Sequence, residues 1–420
     1  MGDLKSFDLM EFYRKKYESL SIALLCLLGV VLSLGNTWPP QQRLLGNLGV
    51  VLVSGTLIIG IYNHGVRKPT LGMLGALLLL SVYLFSSIAW NKPSVDRNGI
   101  VCLNNMGWWM DYSKMCMVSL IAGMVCLARN QRVTLLFAFS GGAFLLPIAF
   151  TAYSFYLDGE TKYGPIHNVL TGQIVNSCGV MSLVVFLPVF YAAGIFNKII
   201  KPNQKNLIIL LLIYSIASLI GYLYSSRSVF IIIYILVTLM ALFFYLQDSW
   251  RKISGLKIAC FFLAFLLLIL LMQKLERPVG LDVLKNVRFN AYFSFLQQFV
   301  SSPLAYAKVP LSFEQVASNH FHNFFADSHR LSGLWSFLSA VFLVGYTGLR
   351  VLQAAIKAPE GRMLLMVFIP VFLILNTSVV PEGEFQPILL ILLLGGCAES
   401  ILREKRMHGD LENMPDKFLG

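Results

Sequence analysis

Ile258-Ala259-Cys260-Phe261-Phe262-Leu263-Ala264-Phe265-Leu266-Leu267-Leu268-Ile269-Leu270-Leu271-Met272 carries no charge, no amide and no hydroxyl. Runs of about 17 to 25 mainly apolar residues cross a bilayer as helices. A membrane barrel would show short alternating strands instead. Eleven more runs of the same kind lie along the 420 residues. The twelve predicted spans are 19–36, 44–63, 71–90, 112–128, 132–151, 168–196, 206–224, 228–247, 256–273, 331–350, 363–380 and 385–402. The chain is 57% hydrophobic and 13% charged, with a mean hydropathy of +0.70. Soluble domains carry less apolar content, so the expected fold is an all-α polytopic membrane protein.

After Met272 the apolar character stops until Leu331. Three of the six histidines lie close together near the end of this polar insertion, in Ser318-Asn319-His320-Phe321-His322-Asn323-Phe324-Phe325-Ala326-Asp327-Ser328-His329-Arg330. The organisation expected is 1–273 with spans one to nine, 274–330 as a long segment carrying amphipathic helix, 331–402 with spans ten to twelve, and a tail over 403–420.

The net charge is +12. Its carriers sit in short clusters between apolar runs, the pattern of a topology signal and not of a nucleic-acid surface. Twelve spans put both termini on one side. Of the 33 Lys and Arg residues, 21 fall on that side and 12 on the other, six of the 12 in the long segment. By the positive-inside rule both termini are cytoplasmic and the long segment lies outside. The seven cysteines form no CxxC pair, and neither a disulfide framework nor a metal site is expected. No small-residue cleavage site follows the first apolar run, which therefore reads as an uncleaved span.

Aromatic residues mark the outward loops: Trp38, the pair Trp108 and Trp109, and Tyr153, Tyr156 and Tyr163. Their expected role is anchoring at the membrane surface. Run 168–196 is longer than one span needs, and Gly172, Gln173, Asn176 and Ser177 read as a polar stripe facing the bundle interior. No fixed-period repeat is present, and charged groups inside spans are almost confined to residues near ends, such as Lys114 and Arg227. Both facts argue against a carrier of lipid-linked sugars.

Arg227, in Ser225-Ser226-Arg227-Ser228, stands at the outer end of the eighth span. A guanidinium there is either a snorkelling anchor or a bidentate ligand for lipid phosphates. Arg288 precedes Tyr292, Phe293, Phe295, Leu296, Phe299 and Val300, whose spacings near three and four mark an amphipathic helix ended by Ser301-Ser302-Pro303. That helix lies on the membrane surface, or brings Arg288 into one cationic pocket with Arg227. His320 and His322 are two apart, the wrong spacing for a helical zinc pair. A histidine where the outer leaflet meets water suits general-base removal of a proton from a sugar hydroxyl.

At these residues the chain resembles the O-antigen ligase family of lipopolysaccharide assembly, in the superfamily that includes O-antigen polymerases and protein O-oligosaccharyltransferases. Ser226-Arg227-Ser228-Val229-Phe230 is similar to the family's Arg-bearing span end. Arg288 with Tyr292 and Ser302-Pro303 resembles its long-segment helix. His322-Asn323, nine residues, then Gly333 fits its loop motif. The motif also expects Gly, Thr or Tyr where this chain has Ser336.

The resemblance implies a glycosyltransferase of GT-C-like architecture in the inner membrane of a Gram-negative cell, with its site facing the periplasm. The implied partners are an undecaprenyl-diphosphate-linked O-antigen donor, a lipid A-core acceptor and membrane lipids, with no nucleic acid. The implied reaction is inverting transfer without metal or other cofactor. His322 is the expected base, and Arg227 and Arg288 the expected diphosphate ligands. Asn323 and Arg330 are expected to support the site, His320 and His329 to orient the base or meet acceptor phosphates, and Glu382 and Glu384 to supply an outward-loop carboxylate.

Overall fold

A computed structural model of the chain describes residues 9–35, 42–65, 68–91, 94–95, 101–102, 106–159, 165–172, 174–224, 229, 287–309, 320–377 and 385–412. The helices are α1 (Leu9–Leu34), α2 (Gln42–His64), α3 (Leu71–Ala89), α4 (Met106–Val125), α5 (Arg129–Asp158), α6 (Ser177–Ser182), α7 (Phe186–Phe196), α8 (Gln204–Leu223), α9 (Val287–Ser301), α10 (Phe324–Lys357), α11 (Pro359–Thr377) and α12 (Gln386–Glu412). Eight of them, α1, α2, α3, α5, α8, α10, α11 and α12, are long and apolar enough to cross a membrane. The chain is an all-α, multi-pass membrane protein. Helices occupy ten of the twelve predicted runs. Runs 228–247 and 256–273 fall outside the described residues, apart from Val229.

Helix α12 is the centre of the bundle. Its apolar span is 94% buried, against 28% for α8 at the periphery. Small residues let neighbours come close. A Cβ on Gly396 would run into the Leu120 carbonyl, and one on Gly123 would stand 2.5 Å from the Leu393 carbonyl. Glycine at both places therefore permits the α4–α12 contact. A row of serines joins α3 to α10. Ser332 Oγ donates to the Ser87 carbonyl at 2.8 Å, Ser87 and Ser336 hydroxyls meet at 2.7 Å, and those of Ser86 and Ser339 at 3.0 Å. Each satisfies a hydroxyl that hydrocarbon could not.

At the end of the bundle where α10 finishes and α11 begins, buried cations are paired. Arg132 of α5 donates to Glu360 of α11 at 2.7 and 2.9 Å, and to Glu404 and Ser400 of α12 at 2.8 and 3.2 Å. Arg350 of α10 grips Glu399 of α12 through two nitrogens, Nη2 at 2.8 Å and Nε more closely. Arg132 and Glu399 are almost wholly buried, so each charge needs its counter-ion in place.

Four expectations change, the first at Tyr153 and Tyr156, which lie in the last turns of α5 and not in a loop. Run 168–196 does not begin as helix. Strands β1 (Pro165–His167) and β2 (Ile174–Asn176) form an antiparallel hairpin, and helix starts only at Ser177. The Asn168 side chain accepts from the Leu170 N–H at 2.8 Å, and Gly172 at φ +67° completes the turn. Trp108 and Trp109 belong to the first turns of α4, not to a loop. Trp108 stacks on Tyr112 at 5.3 Å, and Trp109 is buried, so they build core and are not surface anchors. Finally, α10 begins at Phe324, not at 331. The polar residues that read as loop are satisfied by tertiary hydrogen bonds described next.

Candidate functional site

The start of α10 is built residue by residue from the motif. His322 takes φ +54°, in the left-handed region that few side chains adopt. It reverses the chain directly before Asn323, the helix N-cap, whose Oδ1 accepts from the Phe325 and Ala326 N–H groups at 3.0 Å each. Nine helical residues follow. Gly333, at φ +73° and ψ −164°, then breaks the helix. That conformation is essentially restricted to glycine. The spacing His322-Asn323–nine residues–Gly333 thus marks a turn, a cap, one short helix and its break.

Asp327, fully buried, ties this turn to the helix. Its Oδ1 accepts from the Phe321 N–H at 3.0 Å and its Oδ2 from the Asn323 N–H at 3.3 Å. Arg330 Nε donates to the same carboxylate at 2.7 Å, and Arg330 Nη2 donates to His320 Nδ1 at 3.0 Å. Arginine cannot accept, so His320 carries its proton on Nε2 when neutral. The His320 and His322 rings stand 6.3 Å apart, nearly perpendicular. Arg330 already answers a buried carboxylate, which makes it an orienting group and not a free anion ligand.

His329 differs from what was expected of it. The ring is buried; Nδ1 accepts from the Ala307 N–H at 3.1 Å and Nε2–H donates to the Pro303 carbonyl at 2.9 Å. Both nitrogens serve the backbone of the segment after α9. His329 is a structural tie, where orienting the base or meeting acceptor phosphates was expected. Around it Phe295, Phe299 and Phe337 form a small aromatic core, with centroids 4.9 to 6.0 Å apart.

Helix α9 reaches the turn through Tyr292. Its hydroxyl donates to the Asn376 carbonyl at 2.8 Å and lies 3.3 Å from the His322 carbonyl. Asn323 Nδ2 donates to the same Asn376 carbonyl at 3.1 Å. Asn376 stands in the last turn of α11, so three helices converge on His322. Arg288 is the second residue of α9, one helical turn before Tyr292 and on its face by register. Arg227, Glu382 and Glu384 lie outside the described residues.

Sequence reading missed Asp327, Tyr292 as a hydrogen-bond donor, and Asn376. An acidic residue in the first turn after a capping Asn was the available signal for Asp327. For Asn376, 84 residues from Tyr292, there was none. Among the described residues, no three His, Cys, Asp or Glu side chains converge as metal ligands do.

Fold and site together define a multi-pass helical membrane protein with a histidine-bearing turn at one end of its bundle. The chain matches no protein-family model and no curated protein sequence.

Proposed function

We propose that the chain is an O-antigen ligase: a glycosyltransferase that moves polysaccharide from undecaprenyl diphosphate to a hydroxyl of the lipid A-core. The observation that carries the proposal is the turn at His322. A histidine held in a left-handed conformation, braced on both sides and set where a membrane helix begins, is a costly arrangement of the kind that functional sites retain. The motif that resembles the ligase family begins at this turn and runs through the Asn323 cap to the break at Gly333, departing from the family at Ser336.

In this reaction the acceptor oxygen attacks the anomeric carbon of the donor while that carbon's bond to the diphosphate oxygen breaks. His322 takes the hydroxyl proton. Undecaprenyl diphosphate departs with the bonding pair, and Arg227 and Arg288 take up its charge. His320, fixed by Arg330, and Asn323, through the cap, hold the turn in place. The topology that goes with this chemistry has twelve spans, both termini in the cytoplasm of a Gram-negative cell, and the long segment in the periplasm.

The test uses His322→Asn, because asparagine tolerates the left-handed backbone but is no base. In a ligase-null strain this variant should leave lipid-linked polymer accumulating and the core uncapped. Normal capping at wild-type protein levels would reject His322 as the base. Purified wild-type protein given lipid-linked glycan and core lipid A then judges the reaction by its product. Polymer without capped core would indicate a polymerase, and uptake without transfer a carrier.

A further inference from the structure

We propose that α9 is seated in the hydrocarbon edge of the bilayer, with its uncovered apolar stripe against lipid. The inference stands apart from the proposed chemistry and rests on how α9 divides its circumference. At about 100° per residue, the apolar side chains from Ala291 through Phe295, Phe299, Tyr292, Leu296 and Val300 to Phe293 fill a sector of about 200°. The polar residues Asn290, Ser294, Gln297, Gln298 and Ser301 occupy the remaining arc.

Among the described residues, only half of the apolar sector is covered. Ala291 and Phe295 are buried, and Phe299 meets Phe337 of α10 at 4.9 Å. Phe293 and Leu296 are each 56% exposed, Val300 82%, and Leu304 just beyond the helix 73%. Four large apolar side chains in one stripe exceed what a water-facing helix displays.

Continuity with surfaces that face lipid identifies the occupant. Phe337 lies on α10, and Tyr306 donates to the Trp90 carbonyl at the end of α3 at 2.7 Å. Both helices are membrane spans, and near these contacts they expose Trp335, Phe85 and Trp90. The stripe therefore extends a lipid-facing surface already present, while the polar arc keeps water on the opposite side. A helix so divided sinks about 5–10 Å into the boundary between headgroups and acyl chains. It carries with it Tyr292, and hence the turn at His322.

Nitroxide labels on Leu296→Cys, Val300→Cys and Gln297→Cys, in a cysteine-free full-length chain, test this in vesicles of phosphatidylethanolamine and phosphatidylglycerol. Labels at 296 and 300 should collide several-fold more with oxygen than with an aqueous nickel chelate, and the label at 297 should show the reverse. Preferential collision with nickel at all three positions would overturn the proposal. So would labels at 296 and 300 shielded from both reagents, since another stretch of chain or a second copy would then cover the stripe. Should those variants fail to fold, the wild-type protein is irradiated with a carbene-bearing phospholipid in the same vesicles. Adducts are expected between Phe293 and Leu304. Adducts on α3 and α10 with none on this segment would overturn it.

Discussion

The two ends of the bundle hold their polar groups in different ways. Where α10 ends, the buried Arg132 and the half-buried Arg350 are closed against Glu360, Glu404 and Glu399, and the ties run helix to helix. Where α10 begins, one ion pair, Asp327 with Arg330, holds a turn within its own segment, and neutral amides, carbonyls and a phenol do the rest. Buried ion pairs fix a structure because neither partner survives alone. A network of neutral hydrogen bonds around a strained residue instead fixes one backbone conformation. The first end is a fastening and the second a mount for His322.

The contrast breaks most sharply on activity. His322→Asn should lower transfer by about 10²–10⁴-fold, the usual contribution of a general base, and leave thermal unfolding in detergent unchanged. Equal loss of both would make the turn as structural as the opposite end. Arg132→Met should do the opposite, destabilising by about 3–5 kcal/mol because Glu404 loses its partner and Glu360 keeps only Arg129, at 3.8 Å. A protein with wild-type unfolding temperature would show that the arginine end is no fastening.

Smaller effects sharpen the comparison. Gly333→Ala should destabilise by about 1–3 kcal/mol through its backbone alone. The added Cβ has room, with Tyr306 Cε1 at 3.5 Å. Asn323→Ala should cost about 0.5–2 kcal/mol as a lost cap, and Tyr292→Phe about 0.5–1.5 kcal/mol as a lost hydrogen bond. Hydrogen exchange of residues 320–330 would rise in both if these groups brace the turn, and would stay at the wild-type rate if they do not.

Apolar runs made the spans legible, because hydrocarbon leaves a backbone little choice but helix. They also misled. Val169, Leu170, Ile174 and Val175 look like span, yet one Asn turn and Gly172 fold them into a hairpin. Ser328, His329 and Arg330 look like loop, yet Ser328 and Arg330 find partners within their own segment and His329 finds one at Pro303, 26 residues away, and all three are helix. In the site, the resemblance to the ligase motif pointed to His322, Asn323 and Gly333, whose roles are all set within one segment. The Tyr292–Asn376 contact was invisible, since nothing in either residue's neighbourhood announces a partner on another helix.

The burial of α12 bears on how the molecule is made. Of the described helices it is the last to leave the ribosome, yet α4, α10 and α11 all pack on it. Until it arrives, Gly123 on α4 and Arg132 on α5 are without the partners they meet on it. The newborn chain must therefore wait, its longest partnerships unmade, and a stall in synthesis before Phe385 would leave an assembly without its axle.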